Sequence, residues 1–177
     1  MVVKESTLTK LTIADVPNLD PINVIFEDYG PQRGKVTIEV CGDAWSYFWG
    51  AMGEGYTIKN FFLKAGTDYL VRKLKIGLDS TIDDDSQESL VLAAKKHILL
   101  IRRRNEITKN SARSIWDLVD EIGDDGKDAN YKILECIFGC DWYDSLPQKP
   151  NPHYQHLCRI VDTIKEALRI SPEKSVT

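Results

Sequence analysis

Val36-Thr37-Ile38-Glu39-Val40 alternates apolar and polar residues without a break, the period-two pattern of a strand with one dry and one wet face. Val36, Ile38 and Val40 fall on the side that seeks a core, and Thr37 and Glu39 on the side that faces water. Just upstream, Ile22-Asn23-Val24-Ile25-Phe26 is a second strand candidate, with Val24 and Phe26 sharing a face. Between the two lies Tyr29-Gly30-Pro31-Gln32-Arg33-Gly34, rich in turn residues, so the pair reads as an antiparallel hairpin. Leu8 to Ile13 alternates in part, and Pro17 with Asp20-Pro21 then breaks the chain.

Downstream the period changes. Ile58, Phe61, Phe62 and Ala65 recur at helical spacing, with Thr57 as a cap and Gly66 as a stop. A short helix follows over 68–75. Asp83-Asp84-Asp85-Ser86 opens a longer one that runs to about Arg104. Thr108 or Asn110 caps the next, with Ala112, Ile115, Trp116, Val119 and Ile122 as one stripe and Gly123 at its end. Asp128 caps another, with Ile133, Leu134, Ile137 and Phe138 inward. Asn151 and Pro152 open the last, where proline's missing N–H is harmless.

Strands first and helices after argue for an α+β fold. The expected architecture is an N-terminal antiparallel hairpin or small sheet packed against about four to five helices. A chain of 177 residues with 42% hydrophobic and 28% charged residues can bury a core without staples. A single domain over 1–177 is expected, β-rich over 8–55 and α-rich over 57–170, with a flexible tail at 171–177.

The net charge of −4 argues against generic coating of nucleic acid. Apolar runs such as Ile98-Leu99-Leu100-Ile101 are far too short to span a bilayer, and the N-terminus lacks the apolar stretch of a signal peptide. A cytoplasmic location is expected, with Cys41, Cys136, Cys140 and Cys158 as thiols and no cofactor.

Four constellations could carry function. The first is Trp45, Tyr47, Phe48 and Trp49, flanked by glycines. A stacking platform for bases wants a basic groove, and 39–55 holds three acids with no Lys or Arg. Core packing accounts for at least two of the four. The rest could anchor a protein partner, because Trp and Tyr dominate interface hot spots.

The second is a basic ridge of Lys95, Lys96, Arg102, Arg103 and Arg104, a nucleic-acid surface in the alternative reading. The plainer account sets acids at the start of that helix and bases at its end, complementing the helix dipole. On the same helix, His97 reads as a core histidine. The third is Cys136, Cys140, His153 and Cys158, whose spacing resembles zinc-ligand arithmetic. Against zinc, Cys136 and Cys140 share a helical face with Ile133 and Ile137, so buried thiols account for them as well. The fourth is a set of carboxylates, Asp28, Glu39 and Asp43, as a metal-dependent enzyme site in a further alternative. Phosphate-loop, nucleophile-elbow and zinc-protease signatures are missing, so an enzyme is the minority reading.

The runs GKVTIEVCG (34–42), AWSYFWGAMG (44–53), Thr57-Ile58 and Phe61-Phe62 resemble a family of accessory proteins of lambdoid-type phages and prophages. FGCDWY (138–143), LPQKPNPHY (146–154) and LCRIV (157–161) resemble the same family, and the likeness covers most of 8–170. This chain departs from the family pattern between Gly53 and Thr57 and at Cys140 and His156, which weighs against a family-wide metal site. The resemblance implies phage context and supplies no catalytic residues. In that context a small acidic protein is expected to bind a host or defence-system protein, with Trp45, Tyr47, Trp49, Trp142 and Tyr143 as the contact residues.

Overall fold

The computed structural model describes residues 8–170. In chain order the strands are β1 (Thr9–Ile13), β2 (Ile22–Asp28), β3 (Gly34–Val40) and β4 (Asp43–Trp49), then helices α1 (Ile58–Lys64) and α2 (Thr67–Leu74). There follow β5 (Thr81–Asp83), α3 (Gln87–Arg103), α4 (Lys109–Val119), α5 (Gly126–Ala129) and α6 (Tyr131–Phe138). A 3-10 turn at Trp142–Ser145, β6 (Gln148–Pro150) and α7 (Pro152–Ile170) complete the described residues. The α+β class expected from the sequence is the class observed. Packing divides the chain into two compact units, one built from residues up to Ser80 together with those from Pro152 onward, the other from Thr81–Asn151.

In the first unit β1 to β4 form an antiparallel sheet in sequential order. The expected hairpin is β2–β3, with Val24 opposite Ile38 and Phe26 opposite Val36. After Val40 the chain turns back at once into β4, a strand that the alternation of β3 does not announce. Cys41 and Gly42 both have positive φ, 49° and 93°, the primed two-residue turn whose twist matches paired strands. One sheet face carries Ile22, Val24, Phe26, Val36, Ile38 and Val40, all buried. Against it pack Ile58 and Phe62 of α1, Leu70 and Val71 of α2, and Leu157, Ile160, Val161 and Ile164 of α7.

Gly34 lets α1 come close, since a Cβ there would lie 2.6 Å from the Cβ of Ile58. Thr57 caps α1 as expected, accepting from Asn60 N at 3.3 Å, and Asp28 Oδ1 accepts from Ile58 N at 2.8 Å. Two of the N–H groups that a helix start leaves unpaired are thereby satisfied.

In the second unit β5 pairs antiparallel with β6, Thr81 opposite Pro150 and Asp83 opposite Gln148. A separate apolar cluster forms around Leu90, Ala94 and Ile98 of α3, Val119 of α4, Ile122, and Leu134 and Ile137 of α6. Thr108 caps α4, accepting from Ser111 N at 3.1 Å. The helix expected from Asp128 is divided at Asn130, which is 5% exposed. Its side chain accepts from Gly123 N at 2.9 Å and donates to the carbonyls of Gly123 and Gly126 at 3.1 and 2.8 Å. That staple holds the loop between α4 and α5.

The chain is expected to be one domain; its described residues form two hydrophobic clusters, each drawn from one unit. The tail at 171–177 lies outside the described residues.

Candidate functional site

Alternation along β4 sorts the aromatic run. Trp45, Tyr47 and Trp49 fall on the core side, opposite Ile38, Val36 and Gly34. Trp49 is 4% exposed, and its Nε1 donates to Tyr69 Oη at 3.1 Å. Its ring also lies 4.8 Å from that of Tyr47 and 5.7 Å from that of Phe61. Trp45 and Tyr47 are partly buried against the same core, and Lys73 Nζ sits 5.4 Å from the Tyr47 ring centre. Of the contact residues expected on this segment, Trp49 therefore offers no surface, because it is enclosed by the helices over the sheet.

Phe48 points the other way. It is 49% exposed on the outer face of the sheet, with its ring edge-on to Tyr29 at 5.7 Å. Tyr29 is equally open, and its hydroxyl donates to Glu27 Oε2 at 2.5 Å. That hydrogen bond, more than burial, pushes the Tyr29 hydroxyl pKa above its ordinary value. Glu27 Oε1 lies 4.0 Å from Lys35 Nζ. Further along the same outer face Thr37 bonds Ser46 at 3.3 Å, and toward its far end Thr12 bonds Asn23 at 2.9 Å. Two half-exposed aromatic rings on the outer face of the sheet form an anchor of the kind that fits an apolar socket.

In the second unit, Trp142 is partly buried against the local cluster while Tyr143 is exposed. The two rings are edge-on at 6.2 Å, and Tyr143 Oη donates to Asp141 Oδ1 at 3.3 Å. The charges of Asp141 and Asp144 raise the Tyr143 pKa.

The basic ridge is partly engaged. Lys95 lies over the Trp116 ring at 5.6 Å, Arg102 bonds Asn105 at 3.4 Å, and Arg104 sits 3.9 Å from Glu106. Lys96 and Arg103 are exposed. His97 is half-buried, with its ring 4.9 Å from that of Phe138. Asp83 and Asp84, expected to open α3, precede it instead. Asp83 pairs with Lys127, and Asp84 lies 3.2 Å from Lys149. Hydrogen bonds from Ser89, Lys149 and Ser86 bring the Asp84 pKa down to about 2.

The zinc constellation is not brought together within either unit. Cys136 and Cys140 are exposed in the second, and His153 and Cys158 lie on α7 in the first. The alternative account of Cys136 and Cys140 as core thiols also fails, because Leu134 and Ile137 take the buried positions of α6. Among the described residues, no group of three His, Cys, Asp or Glu side chains could hold a metal ion. The carboxylate set does not converge either. Asp28 pairs in register with Gly34, at the end of β3 away from Glu39, and its side chain is occupied at the start of α1.

One polar cluster went unforeseen, on the facing sides of α2 and α7. Lys165 is 6% exposed, and its ammonium donates to Ala65 O at 2.6 Å and Thr67 Oγ1 at 3.1 Å. Thr67 Oγ1 donates to Asp162 Oδ1 at 2.5 Å. Tyr154 Oη donates to Asp68, which also holds Arg72 Nε at 3.1 Å. Burial lowers the Lys165 pKa and raises those of Tyr154 and Cys158. The cluster lines an open groove of about 1090 Å³ along α7. Its ammonium is committed to backbone and hydroxyl, and its thiol is held protonated, so it offers neither a free amine nor a nucleophile. Spacing could have found it only in part, since Tyr154, Cys158 and Lys165 lie on one helical face but Ala65 comes from the end of α1 and Thr67 and Asp68 from α2.

Among the described residues no helix is long and apolar enough to cross a membrane. No curated protein and no solved structure matches the chain. A family model described as a phage family matches residues 1–170, and the chain belongs to that phage protein family.

Proposed function

We propose that this phage protein is a non-catalytic binder that modulates a host or defence-system protein in the bacterial cytoplasm, as an accessory protein of a lambdoid-type phage or prophage. The observation that carries this reading is the Tyr29–Phe48 pair, two half-exposed aromatic rings fixed edge-on on the open face of the sheet. Aromatic side chains have few rotatable bonds, so little entropy is lost on contact, and the Glu27–Lys35 pair beside them supplies a polar rim. Tyr143 is the corresponding exposed aromatic of the second unit.

Affinity capture of the tagged protein from bacterial lysate, with and without nuclease, tests this reading. One protein enriched in both samples is the expected result. Enrichment that vanishes with nuclease would transfer the function to the α3 bases, Lys96 and Arg103 foremost.

A further inference from the structure

Among the described residues β4 is the terminal strand of its sheet, with β3 as its one neighbour. The Cys41-Gly42 turn makes Val40 and Asp43 the closing hydrogen-bonded pair of the hairpin, and pair types alternate from there. By that alternation Trp45 and Tyr47 turn their N–H and C=O groups toward β3. Ala44, Ser46 and Phe48 turn theirs outward, and all three residues are exposed.

Sheet edges are ordinarily blunted by lysine, proline, a bulge or a very short strand. β1, the opposite edge, carries Lys10. β4 has none of these devices over its 7 residues, and its one charge, Asp43, sits beside the turn. Left open, such an edge is a template for another strand.

We infer that β4 pairs antiparallel with β4 of a second copy of this chain about a two-fold axis at Ser46, joining two sheets into one. The strand is complementary to itself in that register. Ala44 faces Phe48 of the second copy, small against large, and Ser46 faces Ser46. Trp45 faces Tyr47 and Asp43 faces Trp49, so aromatic pairs form on the core side and no charge meets a like charge. The Tyr29–Phe48 pairs of both copies would then share one outer face. This inference goes beyond the proposed function, since it needs no host protein.

Sedimentation velocity over a concentration series tests it, with wild type beside S46P, S46K and S46D. Ser46→Pro removes an outward N–H without touching the β3 ladder. S46K and S46D keep every backbone group and set like charges opposite each other. Wild type is expected to sediment with the mass of two chains, S46P as a monomer, and S46K or S46D alone with association weakened about fivefold or more. An equimolar mixture of S46K and S46D is expected to regain association, which a merely misfolded variant would not do. A wild type that stays monomeric at its highest soluble concentration overturns the inference, as does a dimer indifferent to all three substitutions. In either case the Tyr29–Phe48 reading stands or falls separately, on lysate capture.

Discussion

Lys165 Nζ donates to the backbone carbonyl of Ala65 at 2.6 Å, so a buried cation on α7 closes the C-terminal end of α1. A helix end leaves carbonyls without partners, and here a side chain distant in sequence supplies one. Replacing Lys165 with Met strands that acceptor and leaves the Thr67 hydroxyl bonded to Asp162 alone. A loss of about 1–3 kcal/mol in urea unfolding is expected.

The same residue gives a signed pH effect. Burial lowers its pKa below 10.5, with Asp162 opposing and Arg169 reinforcing the shift. In the window between the folded-state value and 10.5 the unfolded chain binds more protons, so the Lys165 contribution to stability rises with pH. The difference in unfolding free energy between wild type and K165M, measured from pH 8 to 10.5, should therefore widen as pH increases.

The aromatic run separates into core and surface by one experiment. Trp49→Ala empties a site walled by Tyr47, Phe61 and Tyr69 and should cost about 3–5 kcal/mol. Phe48→Ala, on the open face, should fall within about 0.5 kcal/mol of wild type. Equal losses would contradict the side-chain alternation assigned to β4.

Asp84 gives the second unit an acid sensitivity. Its pKa is lowered from 3.8 to about 2, so its stabilising effect is complete above 3.8 and disappears as pH falls through about 2. Asp84→Asn should remove that part of the acid transition reported by Trp116 and Trp142 fluorescence in a background where Trp45 and Trp49 are phenylalanine.

Much of this fold was legible because periodicity survives wherever one face is dry. β2, β3 and the Thr57 cap stand where alternation and capping chemistry set them, and α7 starts at Pro152 as proline geometry dictates. β4 escaped because Cys41-Gly42 lacks the Asn-Gly or Asp-Gly signature of primed turns, and because its outer face carries Phe48 where the pattern wants a polar residue. β5 and β6 have 3 residues each, too few for any period to show. The Lys165 cluster was hidden for a different reason: its partners, Ala65, Thr67 and Asp162, meet only through the packing of α1, α2 and α7.

Two cores have a consequence for folding. Asp83 lies opposite Gln148 at the paired ends of the second unit, so 84–147 can be replaced by a two-residue Asn-Gly turn. Because every member of the first cluster lies outside Thr81–Asn151, the shortened chain should keep cooperative unfolding and a buried Trp49. Failure to fold would show that the chain is a single cooperative domain.

The most direct test of the binding account compares lysate capture by wild type with capture by the Tyr29→Ala/Phe48→Ala double variant, quantified by mass spectrometry after nuclease treatment. The account predicts a host or defence protein enriched by wild type and lost, by about tenfold or more, in a variant that remains folded. Capture unchanged by the double substitution would contradict it and place the contact surface away from the open face of the sheet.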